Sequence, residues 1–530
     1  MEEEDIDTEE TEHNDSKVTA HIRGVLSRFA QGDATDYNEL VGKLNQSGYL
    51  STDDMPSLLT SLKAVFGMDM WKYGPDVMEV LVYLIIRLAT SSGEFVNSSL
   101  DMLVNNFMPH ESFMEELNEP RGVEKKEQVL DRVHSALIKI TNLVPLAPMR
   151  LCPILLRRMP DIFVTEPVVA VYVENMLRLE SGPIGEFCGS TMILAVVDRL
   201  VELDLEVGWD DILPNESNKG IFDTELEEMY DDFDDGFVLV NQANIFAEKL
   251  DSLMVVTCRH IRSCAENGRL SKVFNTLFHC FHSSVLNTQR SKFAQFFIFY
   301  ACSLDPEECG VSFAFMLADI FNCNTEISLT RMSSVAYLAS YLARANFLEG
   351  HMIAWTLRRL ADWCVDYCRL VDAEEKTLDP EAHKLFYSGC QAILYVLCFR
   401  MREMLDDPYL ESVIFGFPLQ LIFCHPLDPL KVCLPSIVEE FLQQAKAASL
   451  FTSSEAFGGA AKLDMYFPFD PFLLKKSDRF INPIFLYWSN VGQSKSREGD
   501  QSAKFCMFEM VSKGLSRFAS LCPGISFGST

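Results

Sequence analysis

The sequence predicts an all-α fold, an α-solenoid of degenerate helix pairs, and three observations carry that reading. Apolar residues recur at helical spacing: Val77, Val80, Leu81, Leu84, Ile85 and Leu88 form one stripe, Leu194, Val197, Leu200 and Val201 a second, and Val335, Leu338, Ala339 and Leu342 a third. Hairpin signals are scarce, since Asn267-Gly268 sits between two helical patterns. With 530 residues and 48% hydrophobic composition the chain can bury a large core, but it has no sheet and no single bundle of that length. Helix pairs that cannot bury their apolar faces alone then stack in series, in degenerate repeats of roughly 40 residues.

Taken in order, residues 1–16 hold nine acids and no Lys or Arg, which predicts an acidic, disordered amino terminus. Residues 17–201 form the first part of the solenoid. Within it, Val144–Phe163, with Pro145, Pro148, Pro153 and Pro160 around two apolar clusters, reads as a helix-turn-helix unit. Residues 202–237 form an acidic surface insertion, and residues 202–235 carry fourteen acids against Lys219 alone. Residues 238–448 continue the solenoid; Asp305-Pro306-Glu307-Glu308 and Asp379-Pro380-Glu381 mark helix starts, each an N-cap acid followed by Pro at the first position. Residues 449–488 form a capping segment containing Phe467, Pro468, Phe469, Asp470 and Pro471, and residues 489–530 a divergent, disordered tail. Phe467, Phe469 and Phe472 are read as a cover over the last apolar face.

The formal charge of −31 is concentrated in two places: the first sixteen residues contribute −9 and residues 202–235 contribute −13, leaving −9 for the rest. Such a surface repels phosphate backbones, and no long Lys/Arg cluster offers counterion release, so little direct DNA binding is expected of the free protein. The sixteen cysteines run from Cys152 to Cys522 without paired spacing, as expected of thiols in a reducing compartment. The longest apolar stretches, Val80–Ala89 and Val413–Phe423, fall short of a bilayer span, and no membrane association is expected.

The search for chemistry is negative. No phosphate-binding glycine loop, H-E-x-x-H or C-x-x-C occurs. Gly524-Ile525-Ser526-Phe527-Gly528 matches the G-x-S-x-G pattern, but without the preceding strand and downstream partners that a nucleophile elbow requires. Asp231–Gly236 resembles a calcium loop, but its third ligand would be Phe233 and its twelfth Gln242. Cys258, His260 and Cys264, with His279, Cys280 and His282, do not share one helical face and read as core thiols beside amphipathic histidines. Cys364 and Cys368 do share a face and are likewise read as core. No catalytic, cofactor or metal site is therefore predicted. Ser91, Ser92, Ser98 and Ser99 surround Gly93; paired serines at a helix junction cap and turn, and they are also hydroxyls able to meet a partner or accept phosphate. Exposed together, they are the candidate contact or phospho-regulated group. Arg344, set among small residues in Leu342-Ala343-Arg344-Ala345, reads as a partly buried anchor rather than an interface hot spot.

Four blocks carry a resemblance. Ser333–Leu348 (SSVAYLASYLARANFL), Phe386–Arg400 (FYSGCQAILYVLCFR), Asp428–Phe441 (DPLKVCLPSIVEEF) and Leu463–Trp488 (LDMYFPFDPFLLKKSDRFINPIFLYW) resemble, in that order, the RNA polymerase I-specific transcription initiation factor family also called TIF-IA. The resemblance covers about Lys17–Trp488 and departs after it, where Gln493–Thr530 lacks the family's Ser-Pro-rich acidic tail. It implies a nuclear and nucleolar HEAT-like solenoid that performs no reaction, binds RNA polymerase I at its stalk and dock side, and connects it to the promoter core factor. It also implies a polymerase-facing serine patch whose phosphorylation blocks binding, for which Ser91, Ser92, Ser98 and Ser99 are the local candidates, and a homodimer as a candidate state of the free protein. The competing reading is an acidic helical-repeat scaffold or nuclear transport adaptor, with an enzyme third.

Overall fold

The computed structural model of the chain describes residues 20, 65–109, 113–114, 116–207, 240–288, 291–374, 379–451 and 472–488. The acidic amino terminus at 1–16, residues 208–237 of the insertion with its calcium-like loop, the Phe467–Pro471 motif and the tail from 489 lie outside the described residues. The chain divides into two compact units, Met1–Val196 and Val197–Thr530.

The first unit contains α1 (Pro75–Ser91), α2 (Gly93–Asn105), α3 (Pro120–Leu143), α4 (Ala147–Arg158), α5 (Glu166–Glu180) and the start of α6 (Gly185–Leu205). Helix α1 packs on α2 and also on α3, and α2 packs on α4, so α1 and α2 each meet both a sequence neighbour and the helix two steps on. That pairing is how stacked helix pairs share a continuous core. The α1 stripe is the reason: Val77, Leu81, Leu84, Ile85 and Leu88 are all buried in one cluster with Leu100, Leu103, Val133, Leu137 and Leu151. Asn106 closes the entrance to this core, its Oδ1 accepting from Met70 N at 2.7 Å and its C=O from Trp71 Nε1 at 3.1 Å.

One expectation changes here. Residues 147–158 form a single helix with Pro153 inside it, so Val144–Phe163 is not a helix-turn-helix unit. The proline costs α4 one rung of its ladder without ending it, because Ala147, Leu151, Ile154 and Leu155 hold both halves against the core.

The second unit contains α7 (Val240–Glu266), α8 (Leu270–Cys280), α9 (Phe296–Leu304), α10 (Val311–Asn322), α11 (Ser328–Arg344), α12 (Gly350–Glu374), α13 (Lys384–Leu405), α14 (Pro408–Phe415), α15 (Leu419–Phe423), α16 (Pro429–Val432), α17 (Pro435–Ala447) and α18 (Asp478–Ile481). Helix α10 packs on α11 and α12, while α13 packs on α11, α12 and α17, again with neighbours at one and two steps. Two N-caps do what their acids predict: Asp305 Oδ1 accepts from Glu308 N at 3.0 Å and Asp379 Oδ1 from Glu381 N at 3.2 Å. Helix α13 is buried on every side across Phe386–Met401, and it is enclosed by its neighbours. Among the described residues there is no β-strand, and extended pairing is limited to an antiparallel bridge between Ala345 and Phe485.

Candidate interaction surfaces

The serine group lies on α1 and α2. Ser91 Oγ donates to Leu88 O at 2.8 Å, and Ser92, in an extended conformation between the helices, accepts from Glu94 N at 3.3 Å as the cap of α2. Ser91 and Ser98 are exposed and Ser92 half-buried, whereas Ser99 is fully buried with its Oγ 3.5 Å from Ile85 O. The expectation that all four hydroxyls are exposed together therefore fails at Ser99. Helical period explains it: Phe95, Ser99 and Met102 share the buried face of α2, and Ser98 is one position off it.

Next to this group stands a cationic edge that the sequence showed only as a short basic pair. Arg158 grips Asp101 through Nε (3.0 Å) and Nη2 (2.5 Å) and reaches Asn105 Oδ1 at 2.9 Å, while Arg157 Nη2 meets the same Asp101 at 2.9 Å. The Arg158 guanidinium holds the Asp101 carboxyl below the ordinary carboxylate range against an opposing burial penalty, and Arg157 adds a smaller share in the same direction. Arg150 Nη1 donates to Gly93 O at 2.7 Å, between the two serine pairs. The α2–α4 face thus puts exposed hydroxyls beside three arginines, two of which share the carboxylate of Asp101. Elsewhere in this unit a surface cavity of about 480 Å³ is lined by Asp131, His134, Lys139, Arg178, Leu179 and Ile184.

Arg344 occupies a different setting. It is 1% exposed at the end of α11, with Nε donating to Tyr395 OH at 3.0 Å and Nη1 to Leu486 O at 3.4 Å. Its guanidinium lies 4.5 Å from the Phe399 ring centroid and 5.2 Å from that of Phe485, so the plane is held between aromatic faces. Arg400, one helix away, donates Nε to Leu342 O at 3.0 Å and Nη2 to Ala345 O, satisfying the last carbonyls of α11.

The segment that closes over Arg344 is residues 472–488. Phe472 packs edge-on against Phe293 and Phe296, Phe480 against Tyr300, and Trp488 against Phe399. Its backbone is tied at Leu486 N to Arg344 O (2.6 Å) and at Ile484 O to Asn346 N (3.1 Å). Asp251 of α7, a buried carboxylate, accepts from Lys476 N at 2.6 Å, Ser477 N at 2.8 Å and Ser477 Oγ at 2.5 Å. This strap runs along α7, α9, α11 and α13. Residue composition offered no sign of Asp251, because its partner is 226 positions away. Asp204 was hidden differently. It falls in the acidic run, yet it is fully buried in α6, and its Oδ2 accepts from Ser291 Oγ and the N–H groups of Lys292, Phe293 and Ala294 ahead of α9.

In the cysteine-histidine group the thiols are core, while His260 and His282 are half-buried and His279 is exposed. Cys258, Cys264 and Cys280 are buried, and burial pushes the Cys280 thiol up to about 12 and Cys258 higher, favouring the neutral form. Cys264 Sγ is 3.5 Å from His260 Nε2. Cys364 and Cys368 are likewise buried on α12.

Comparison with known proteins agrees with this architecture. Residues 11–493 match the family described as RNA polymerase I specific transcription initiation factor RRN3. The chain is similar to the RNA polymerase I-specific transcription initiation factor RRN3 of Mus musculus, 26% identical over 490 residues that cover 81% of this chain and 72% of that protein. It is also similar to the corresponding factor of Schizosaccharomyces pombe, 26% identical over 411 residues, covering 68% of this chain and 67% of that one. The crystal structure of RNA polymerase I transcription initiation factor Rrn3 has the same fold, with a TM-score of 0.65 at 19% identity, covering 89% of this chain and 98% of that one. A match that runs from before α1 to beyond the strap embraces both units, and the chain belongs to the RNA polymerase I specific transcription initiation factor RRN3 family.

Proposed function

We infer that this chain connects RNA polymerase I to the promoter-bound core factor at ribosomal RNA genes, as a helical scaffold that performs no reaction. The observation that carries this reading is the family match over residues 11–493, which takes in both units rather than one shared motif. The physical chemistry is consistent with it. Stacked helix pairs present long side surfaces without needing a pocket, and a chain of charge −31 favours basic protein partners over bare nucleic acid. The place of action is the nucleus and nucleolus.

The finer reading assigns the polymerase-facing surface, on the stalk and dock side, to the α2–α4 face. Ser91, Ser92 and Ser98 supply its hydroxyls and Arg157 the most exposed charge; Ser99 lies beneath it. A phosphate at Ser98 stands one helical turn from Asp101, adding about −1.5 to −2 of charge. It would compete with that carboxylate for the arginines and raise the desolvation cost of contact. Homodimer formation by the free protein is the other state this scaffold offers. The direct test is a reconstituted promoter assay with purified polymerase I and core factor. Addition of this protein produces promoter-dependent transcripts; if transcripts do not depend on it, the reading is wrong.

A further inference from the structure

Two thiols of the first unit stand in contact. Cys188, in the first turn of α6, is buried, and its Sγ donates to Pro148 O at 3.3 Å. In an α-helix that carbonyl faces the N–H four residues on, which here belongs to Cys152 of α4. The sulfur of Cys188 therefore sits on the turn of α4 that carries Cys152, and the two side chains interact directly. Cys152 is only half-buried, and the neighbouring Met149 and Phe187 are 75% and 71% exposed, so a small solute reaches one thiol of the pair. Pro153 follows Cys152 inside α4 and removes one rung of the ladder at this turn. A second contacting pair, Cys364 and Cys390, lacks such access because both are fully buried.

We propose that Cys152 and Cys188 are a modification site, a dithiol that closes to a disulfide when it meets hydrogen peroxide. Cys152, the accessible member, attacks as its thiolate; a sulfur–oxygen bond forms, the oxygen–oxygen bond breaks, and the departing hydroxide is protonated to water. Cys188 then attacks the resulting sulfenic sulfur. The sulfur–sulfur bond forms, the sulfur–oxygen bond breaks, and the second hydroxide leaves as water with the Cys188 proton. Two thiols lose two electrons and the peroxide becomes two waters. The order follows from burial, which pushes the Cys188 thiol up to about 12 and leaves it to give up its proton only to the departing hydroxide.

The test uses the full chain with hydrogen peroxide as the probe, followed by alkylation, tryptic digestion without reductant and mass spectrometry. The expected product joins Leu151–Arg157 to Leu179–Arg199, disappears with dithiothreitol and dominates over links to the exposed Cys424. In Cys188→Ser the reaction stops at a Cys152 sulfenic acid that dimedone traps. In Cys152→Ser, Cys188 stays unmodified. Wild-type protein that accumulates sulfenic or sulfinic acid at Cys152 without the link, or that links through other thiols, overturns the proposal; that measurement does not depend on either variant folding.

Discussion

The strap around Arg344 and the α2–α4 face with its serines use the same polar chemistry to opposite ends. At the strap, the anchoring polar groups are enclosed: Asp251 meets two N–H groups and a hydroxyl, and Arg344 meets a phenol, a carbonyl and two rings. On the α2–α4 face, Asp101 pairs with arginines that remain in water, Arg157 being 65% exposed. Buried polar groups cost several kcal/mol when a partner is removed, whereas exposed pairs contribute little. The difference assigns the strap to folding and leaves the surface charges free to meet another molecule.

The largest effect should come from Arg344→Ala. Removing the guanidinium leaves Tyr395 OH and Leu486 O inside a void between Phe399 and Phe485, and about 3–5 kcal/mol of unfolding free energy is lost. Urea titration reads it directly. Arg344→Lys recovers the charge but not the stacked plane, and so restores only part of it. Full stability in the alanine variant would remove the contrast between the two regions.

Asp251→Ala frees the strap's first anchor and leaves Lys476 N and Ser477 N without their acceptor, at a cost of about 3 kcal/mol. Hydrogen exchange should accelerate across 472–488 while α1–α4 keep their protection.

The first unit has its own enclosed polar group. Burial holds His134 at about 4, below its ordinary 6.5, although its Nε2–H donates to Asn175 Oδ1 at 2.8 Å. Between these values the unfolded chain binds a proton that the folded chain refuses, so stability falls as pH drops from 6.5 towards 4 and is unaffected above 6.5. At about 1.4 kcal/mol per pH unit the loss is about 3 kcal/mol. Unfolding free energies at neutral and acid pH, compared between wild type and His134→Gln, should show a shallower decline in the variant.

The smallest effect belongs to the exposed face. Asp101→Asn should cost about 1 kcal/mol or less in a thermal melt, because its pairs are solvated. A loss several times larger would mean that the arginines hold the fold together instead of facing a partner.

Much of this was legible in the residues. The three apolar stripes recur as buried helix faces, and Asp305 and Asp379 cap where their Asp-Pro pairs predict, because periodicity and caps are local properties. The four blocks also carried the family. Ser99 was readable in principle, since it shares the α2 stripe with Phe95 and Met102, but its pairing with Ser98 in sequence obscured the helical period. Asp251 and Asp204 were not readable: each looks like any surface acid until a loop from far along the chain brings N–H groups to it. Pro153 misled because the rule against helix-interior proline is weaker than the packing that holds both halves of α4.

The central claim is tested most directly by affinity capture of the tagged full-length chain from nuclear extract at fixed salt, with bound proteins quantified by mass spectrometry. Wild-type protein should retain RNA polymerase I subunits. The Ser98→Asp variant should melt at the wild-type temperature yet retain roughly tenfold less, the consequence of about 1.4 kcal/mol of lost contact. Absence of polymerase I from the wild-type capture would contradict the assignment of this scaffold to polymerase I initiation, and equal retention by Ser98→Asp would place the contact surface away from the α2–α4 face.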